Sequence, residues 1–133
     1  MSGLYRAASQ LFATGALTWA SAALEARLIG PAYTPDFVAH GTVADIPGSA
    51  LLSSAVALSS PTVVNGVLKA ANPTWPSLTV TDYVEAVLLS LVSGATDADH
   101  PLLALITGGI NFGVSPSAED VSVIWAVEGI LAL

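Results

Sequence analysis

The chain has 133 residues, enough for one domain, since single cores usually span about 100–150 residues. Its hydrophobic share of 53% and charged share of 10% exclude a disordered chain, which needs the opposite composition. Three Lys and Arg residues against ten Asp and Glu give a net charge of −7, which excludes nucleic acid as a main partner because phosphate binding depends on cations.

The low charge also bears on the surface of the protein. A small soluble domain carries about a quarter of its residues as charged side chains. We therefore expect a surface rich in Ser, Thr and Ala, part of which is buried against another subunit. The absence of cysteine excludes disulfides and thiolate sites. No transmembrane helix is predicted, because Pro47 and Pro61 interrupt the longest uncharged stretch, and polar residues interrupt the N-terminal run that resembles a signal peptide.

The first predicted element is a short α-helix from about residue 3 to residue 14, capped by Ser2 and stopped at Gly15. Apolar residues recur at the helical spacing along one face of it: Leu4, Ala8, Leu11 and Phe12. After Gly15 the period changes toward two, which predicts a half-buried first strand over residues 22–29. Thr34 as N-cap and Pro35 at the first helical position then predict a single helical turn through His40.

The middle of the chain predicts a hairpin and an edge segment. Alternate positions over residues 52–58 would lie on one face of an extended chain, which predicts a strand there. Asn65-Gly66 lies between two pairs of apolar residues and predicts a type I′ turn, because both positions favour a positive φ. Pro73 and Pro76 bracket Trp75, which predicts an edge strand or a linker there.

The last third of the chain predicts further strands. Residues 83–92 suit a strand buried on both faces, and residues 102–107 form another strand, followed by a glycine-rich turn or bulge at residues 108–113. Alternation at Val121, Val123 and Trp125 predicts a later strand. Short strands at regular spacing predict a mainly β fold: a single antiparallel β-sandwich domain over residues 1–133, jelly-roll-like or immunoglobulin-like, with a short N-terminal α-helix.

Both histidines have acidic neighbours. Asp36 and His40 share one side of the predicted helical turn, so the carboxylate is the expected partner of the imidazole. His100 follows Asp97 and Asp99 in a polar loop, but the glycine and terminal glutamate of a calcium-binding loop do not follow. We expect a solvated acidic loop and structural or solvent-facing histidines, with no metal bound.

Motifs for catalysis are absent from the sequence. Neither a nucleophile elbow of the form G-x-S-x-G nor a phosphate-binding loop occurs. We therefore expect no catalytic residues, no cofactor and no enzymatic activity. The three tryptophans, Trp19, Trp75 and Trp125, are expected to anchor the core or an interface.

Several stretches carry a resemblance to a known family: residues 11–19, 33–46 and 121–125, supported by residues 66–71 and 75–88. In these stretches the chain resembles small virion proteins of tailed bacteriophages, in which a short N-terminal helix ends at a glycine and precedes a tryptophan and a long strand. It departs from them at residues 22–27, where relatives carry an Asp-Thr-Ile-Lys-like sequence. The resemblance implies assembly rather than chemistry.

These observations predict a structural component of a tailed-phage virion, most directly a capsid decoration protein on the outer head surface. An external tail or collar protein is the alternative. A second alternative is a carbohydrate-binding or ligand-binding β-module in which Trp75 or Tyr33 stacks on a sugar. A hydrolase is the least supported reading.

The expected partners are copies of the chain itself, in a homo-oligomer such as a trimer, and a major capsid or tail protein. Neither nucleic acid nor a membrane is expected as a partner. The predicted interface is formed by Leu4, Leu11, Phe12 and Trp75. An outward-facing position in the virion is expected, because packaged DNA repels a protein with a charge of −7.

Overall fold

The computed structural model describes residues 3–80, 82–107, 117, 119–125 and 129–132. The expected turn at residues 108–113 lies outside the described residues. Within them, the chain forms one α-helix, α1 (Arg6–Ala13), short 3-10 turns, and ten strands: β1 (Gly3–Leu4), β2 (Leu24–Ile29), β3 (Val56–Ala57), β4 (Thr62–Val64), β5 (Val67–Lys69), β6 (Thr74–Leu78), β7 (Ala86–Leu91), β8 (Leu102–Thr107), β9 (Glu119–Ser122) and β10 (Leu131–Ala132). No helix in these ranges is long and apolar enough to cross a membrane.

The strands form one large sheet and two small ones. The large sheet is antiparallel with the order β1-β8-β7-β2-β3, and the small sheets are β10-β5-β4 and β6-β9. Side chains of β5 and β6, including Leu68 and Trp75, share a core with the large sheet. The expected mainly β fold with a sandwich-like arrangement and a short N-terminal helix is therefore confirmed.

The large sheet has two buried faces. Its apolar face packs against α1 and the small sheets and is formed by Leu24, Ala26, Leu28, Val87, Leu89 and Ala104. The opposite face, which we call the mixed face, is covered by the segment between β2 and β3 and presents Glu25, Arg27, Ile29, Ala86, Leu88, Ser90, Leu102 and Leu105. Alternation along each strand assigns neighbouring residues to opposite faces.

The N-terminal helix starts later than predicted. Gly3 and Leu4 pair with β8 as an edge strand, so the helix begins at Arg6 with Tyr5 in the N-cap position, rather than near residue 3 with Ser2 as the cap. Its C-terminus is as predicted. Gly15 has φ +75°, and the N–H groups of Gly15 and Ala16 donate to the carbonyl oxygens of Phe12 and Leu11. This is a Schellman motif, which needs a left-handed residue at the position of Gly15.

The predicted hairpin is confirmed. β4 and β5 pair in the expected register, and the turn between them has φ +52° at Asn65 and +77° at Gly66. The predicted edge segment is also confirmed, because β6 contains Pro76 and, among the described residues, pairs with β9 alone, with a register shift before Leu78.

Three predicted elements need correction. The strand expected over residues 52–58 is only Val56–Ala57; before it, the Leu28 N–H of β2 donates to the Ser53 hydroxyl rather than to a backbone carbonyl oxygen. The helical turn that ends at His40 exists, but the Asp36 carboxylate caps it instead of Thr34. The strand expected over residues 121–125 is Glu119–Ser122, after which the N–H groups of Val123 and Trp125 donate to the segment that precedes β6.

Candidate functional site

Two charged residues of β2 lie on the mixed face and are almost inaccessible to solvent. Glu25 and Arg27 expose only 8% and 9% of their surface, so the expectation of a half-buried first strand is wrong. Ser90 lies across from Glu25 on β7 as its register partner and is fully buried. His100 joins them from the loop that leads into β8. We call Glu25, Arg27, Ser90 and His100 the charged cluster.

The charged cluster converges on one carboxylate oxygen. Glu25 Oε1 lies 2.6 Å from Arg27 Nη1 and 3.0 Å from His100 Nδ1. Arg27 Nη1 donates to the Ser90 hydroxyl at 3.2 Å, and this hydroxyl donates to Glu25 Oε1 at 3.3 Å. Arg27 Nη2 also lies 3.6 Å from Asp97 Oδ1, at the surface. The ion pair and the hydroxyl offset the cost of removing these charges from water.

His100 closes the loop of residues 93–101 over the charged cluster. Its Nε2 donates to the Gly94 carbonyl oxygen at 2.9 Å, because a carbonyl oxygen only accepts. Its Nδ1 faces Glu25 Oε1 without an aligned hydrogen bond. The backbone carbonyl oxygen of His100 accepts from the Val43 N–H at 3.0 Å, which ties this loop to the segment between β2 and β3.

One carboxylate of the acidic loop faces the charged cluster, and another bonds within the loop. Asp97 faces Arg27, and the Thr96 hydroxyl donates to Asp99 Oδ2 at 3.1 Å. A Cβ at Gly94 would lie 2.5 Å from the Asp99 Cβ, so this packing requires glycine. Within the described ranges, no group of three or more His, Asp and Glu residues is arranged to hold a metal ion.

A chain of hydrogen bonds joins the N-terminal segment to residues 33–40. The Tyr5 and Tyr33 hydroxyls are 2.8 Å apart, and the Tyr33 hydroxyl lies 2.8 Å from His40 Nδ1. The Asp36 backbone N–H also donates to this nitrogen, at 3.2 Å, which makes Nδ1 an acceptor. Tyr33 therefore donates to His40, and Tyr5 donates to Tyr33.

Burial keeps both tyrosines protonated. It raises the pKa of Tyr5, and the bond with Tyr33 adds to this effect. Burial also raises the pKa of Tyr33, where the Asp45 and Asp36 carboxylates act in the same direction and the hydrogen bonds from Tyr5 and the Asp36 backbone oppose it. The hydroxyl groups thus serve as structural donors near neutral pH.

The predicted contact between the Asp36 carboxylate and His40 is wrong, because the backbone N–H of Asp36, and not its carboxylate, bonds to the imidazole. Its Oδ1 accepts from the Ala39 and Val38 N–H groups at 2.9 and 3.0 Å, which lowers the pKa of Asp36. Asp45 acts in the same way five residues after His40. Its Oδ2 accepts from the Gly41 and Thr42 N–H groups at 2.8 and 3.1 Å, which lowers the pKa of Asp45.

A small pocket opens beside Tyr33 at one end of the mixed face. Its volume is about 140 Å³, close to that of cavities that take one benzene ring. Binding sites for drug-sized ligands are larger, about 300–1,000 Å³. The pocket therefore has room for one side chain. It is lined by Ile29, Tyr33, Pro35, Glu85, Ala86, Leu105 and Thr107.

The residues of the predicted interface contact the molecule's own core. Leu4, Leu11 and Phe12 are partly buried and pack against the apolar face. Trp75 exposes only 2% of its surface and belongs to the core, which removes it from the predicted interface. The other three keep part of their side chains exposed.

Each tryptophan joins distant parts of the chain through its indole N–H, which donates to a backbone carbonyl oxygen. The distances are 2.9, 2.9 and 3.1 Å for the pairs Trp19 to Lys69, Trp75 to Ser54 and Trp125 to Ala71. The expected role as core anchors is confirmed for Trp19 and Trp75, which are both 2% exposed.

Several large apolar side chains remain exposed. Val63 and Val64 expose 46% and 48% of their surface on β4, the outer strand of its sheet. Val38, Tyr83, Val92 and Ile124 are further examples among the described residues.

A scan against protein-family models finds no match for the chain, and no curated protein matches it.

Proposed function

We propose that the chain is a structural component of a tailed-phage virion, most directly a decoration protein on the outer surface of the head. The observation that carries the proposal is that the histidines and carboxylates with the most chemical potential are engaged in contacts within the chain. His40, His100, Asp36 and Asp97 all bond within the chain and fix its loops. This is the behaviour of a scaffold.

The position outside the head follows from charge. The chain carries −7, and only Arg6 and Lys69 are cations outside the charged cluster. Packaged DNA repels such a protein, whereas the outer surface of a shell does not require positive charge. The resemblance to tailed-phage virion proteins agrees with this position.

The attachment surface and the homo-oligomer, for example a trimer, remain part of the proposal. Leu11 and Phe12 on α1 are half-buried, so the same residues can pack on the core and present apolar area to a neighbour. The exposed valines of β4 add apolar area on another sheet. Exposed apolar surface of this kind favours association.

An external tail or collar position is the second candidate, and the same charge argument supports it. The β-module that binds a carbohydrate has less support, because it needs an accessible ring to stack on a sugar. Trp75 and Tyr33, the two rings considered for this role, expose only 2% and 5% of their surface.

The deciding experiment is quantitative mass spectrometry of purified virions from the phage that encodes the chain. Several hundred copies per particle indicate a decoration protein, and a few dozen or fewer indicate a tail or collar protein. Absence of the chain from the particles would contradict both positions.

The contact through α1 has its own test. Leu11→Asp combined with Phe12→Asp is expected to abolish self-association or particle binding in light-scattering and sedimentation assays, with the β-type circular dichroism retained. Ser9→Asp combined with Gln10→Asp adds the same charge on the exposed side of the helix and is expected to leave association unchanged. If the first variant unfolds, α1 serves the core; if it still associates, α1 is not the attachment element.

A further inference from the structure

Both ring nitrogens of the buried His100 face oxygen atoms that accept hydrogen bonds. Nε2 lies 2.9 Å from the Gly94 carbonyl oxygen, and Nδ1 lies 3.0 Å from Glu25 Oε1. A neutral imidazole carries hydrogen on one nitrogen, so in either neutral form a lone pair would face an oxygen atom, whereas the imidazolium cation carries hydrogen on both. We infer that a proton on His100 holds the loop of residues 93–101 against the large sheet, so that the loop is closed more tightly in mild acid than in mild base.

The imidazole is a better site for this proton than the neighbouring carboxylate. Glu25 Oε1 already accepts from the Ser90 hydroxyl and pairs with Arg27 Nη1 at 2.6 Å. A proton on the carboxylate would neutralise it and weaken this ion pair, which leaves the guanidinium buried with a poorer partner. A proton on His100 instead places a second cation beside the same carboxylate, which favours the charged form of both groups.

The other charges around the loop act in the same direction. Arg27 is shared between Glu25 and Asp97, which lies 3.6 Å from its Nη2. Asp99 belongs to the same turn as Asp97, and the turn that packs against them, Val43–Asp45, contributes the Asp45 carboxylate. These four carboxylates outnumber the guanidinium, so a proton on His100 offsets part of the excess negative charge.

The contacts of His100 explain why loss of the proton would loosen the loop. Its side chain connects Glu25 on β2 with Gly94 at the start of the loop, and its carbonyl oxygen accepts from the Val43 N–H. Without the proton, the Nδ1 lone pair faces the carboxylate oxygen and is repelled. The closed loop therefore binds the proton more tightly than the open loop, and by linkage it loses stability as the pH rises. This inference concerns the loop alone and does not depend on a position in a virion.

The protonation state is tested by NMR of the full chain, labelled with ¹⁵N, from about pH 5.5 to about pH 8.5, the range in which histidine ordinarily titrates. The ring nitrogen signals report which nitrogens carry hydrogen. We expect His100 to carry hydrogen on both at the acid end and to lose it from Nδ1 at a higher pH than His40. His40 is the internal reference, because its Nδ1 accepts from the Asp36 N–H and a proton there would remove that bond.

Closure of the loop is tested by amide hydrogen exchange over the same range. The Val43 N–H is the reporter, because it bonds to the His100 carbonyl oxygen at 3.0 Å. After correction for the intrinsic effect of pH on exchange, we expect its protection to fall by about tenfold from the acid end to the basic end, as for the loss of one hydrogen bond to a charged group. The amides of β7, which pairs on both sides, are expected to keep their protection.

Two variants separate the two histidines of the chain. His100→Gln cannot take up a proton in this range, so the protection of Val43 is expected to become independent of pH. His40→Gln removes the other imidazole and is expected to retain the fall. The ¹⁵N spectra show whether each variant is folded. If His100→Gln does not fold, a fall that persists in His40→Gln still assigns the effect to His100.

Several results would overturn the inference: a His100 ring that is neutral at the acid end, protection of Val43 that does not change with pH, or a fall that persists in folded His100→Gln. A fall that disappears in His40→Gln would also overturn it, because the tyrosine end of the mixed face would then be the part that responds to pH.

Discussion

The apolar face and the mixed face of the large sheet share the same central strands but are covered in different ways. Hydrocarbon and indole side chains fill the apolar face, where the N–H of each buried indole donates to a backbone carbonyl oxygen. The mixed face buries a carboxylate, a guanidinium and an imidazole at one end and a pair of tyrosines at the other. The stability of the apolar face depends on buried area and volume, whereas that of the mixed face depends on the ion pair and hydrogen bonds of its buried polar groups.

This difference predicts unequal responses to substitution, and the largest is expected at Arg27. Arg27→Met leaves the Glu25 carboxylate buried without its ion-pair partner, which is expected to lower the free energy of unfolding by about 3–5 kcal/mol. Urea denaturation followed by tryptophan fluorescence measures it. Arg6→Met removes an exposed cation and is expected to change stability by less than about 0.5 kcal/mol.

The mixed face also predicts non-additivity. Glu25→Leu combined with Arg27→Met replaces the ion pair with apolar groups and is expected to be more stable than Arg27→Met alone, because no unpaired carboxylate remains. If the free energy of unfolding of the double variant falls by as much as that of the two single variants together, the charged cluster does not act as a unit.

The apolar face is tested by Trp75→Phe. The substitution leaves a small void and deprives the Ser54 carbonyl oxygen of its partner, which is expected to cost about 2–3 kcal/mol. Trp19→Phe provides a matched case, because Trp19 is equally buried and bonds to the Lys69 carbonyl oxygen. Similar losses would support a common role for the two indoles. A loss below about 0.5 kcal/mol at both positions would show that the indole N–H bonds contribute little.

The two faces also differ in how well the sequence predicts them. The hairpin at Asn65-Gly66 was predictable because its turn type depends on two adjacent residues. The strands β7 and β8 were predictable because a continuous apolar run needs no particular partner to be buried. The start of α1 was not predictable from the local sequence, because Gly3 and Leu4 are extended through their pairing with β8.

The polar contacts of the mixed face cannot be predicted from local sequence pattern, because they join residues that are far apart in the chain. Alternation placed Glu25 and Arg27 together, but their burial depends on Ser90, which is 65 positions from Glu25. Tyr5 and Tyr33 are 28 positions apart. The available signal was two opposite charges in an apolar run of a chain with few charges, which favours mutual pairing over exposure. The apolar face needed no such information, because any large hydrophobic side chain of matching size can fill it.

Substitutions at the tyrosine end of the mixed face are expected to lower stability less, and the two tyrosines serve as controls for each other. Tyr33→Phe leaves His40 Nδ1 without its hydroxyl donor and the Tyr5 hydroxyl without its acceptor, which is expected to cost about 1–2 kcal/mol. Tyr5→Phe removes only the first hydroxyl, so it is expected to cost less. Chemical denaturation of both variants checks the order. The reverse order would mean that the Tyr33–His40 bond contributes little.

The smallest effect is expected at the edge of the mixed face, where Asp36 and Asp45 cap the turns around His40. Backbone N–H bonds lower the pKa of both carboxyls in the folded protein. A carboxyl with a lowered pKa adds stability above its unfolded pKa, near 3.9, and loses it as the pH falls through the folded value.

Asp36→Asn combined with Asp45→Asn keeps an acceptor oxygen at each cap but removes the charge. The original chain is therefore expected to be more stable than this variant at pH 7, with the difference shrinking below about pH 4. Thermal unfolding at pH 7 and pH 3 measures both differences. A difference that stays constant with pH would contradict this prediction, because it would show that the carboxylate charges do not stabilise the caps.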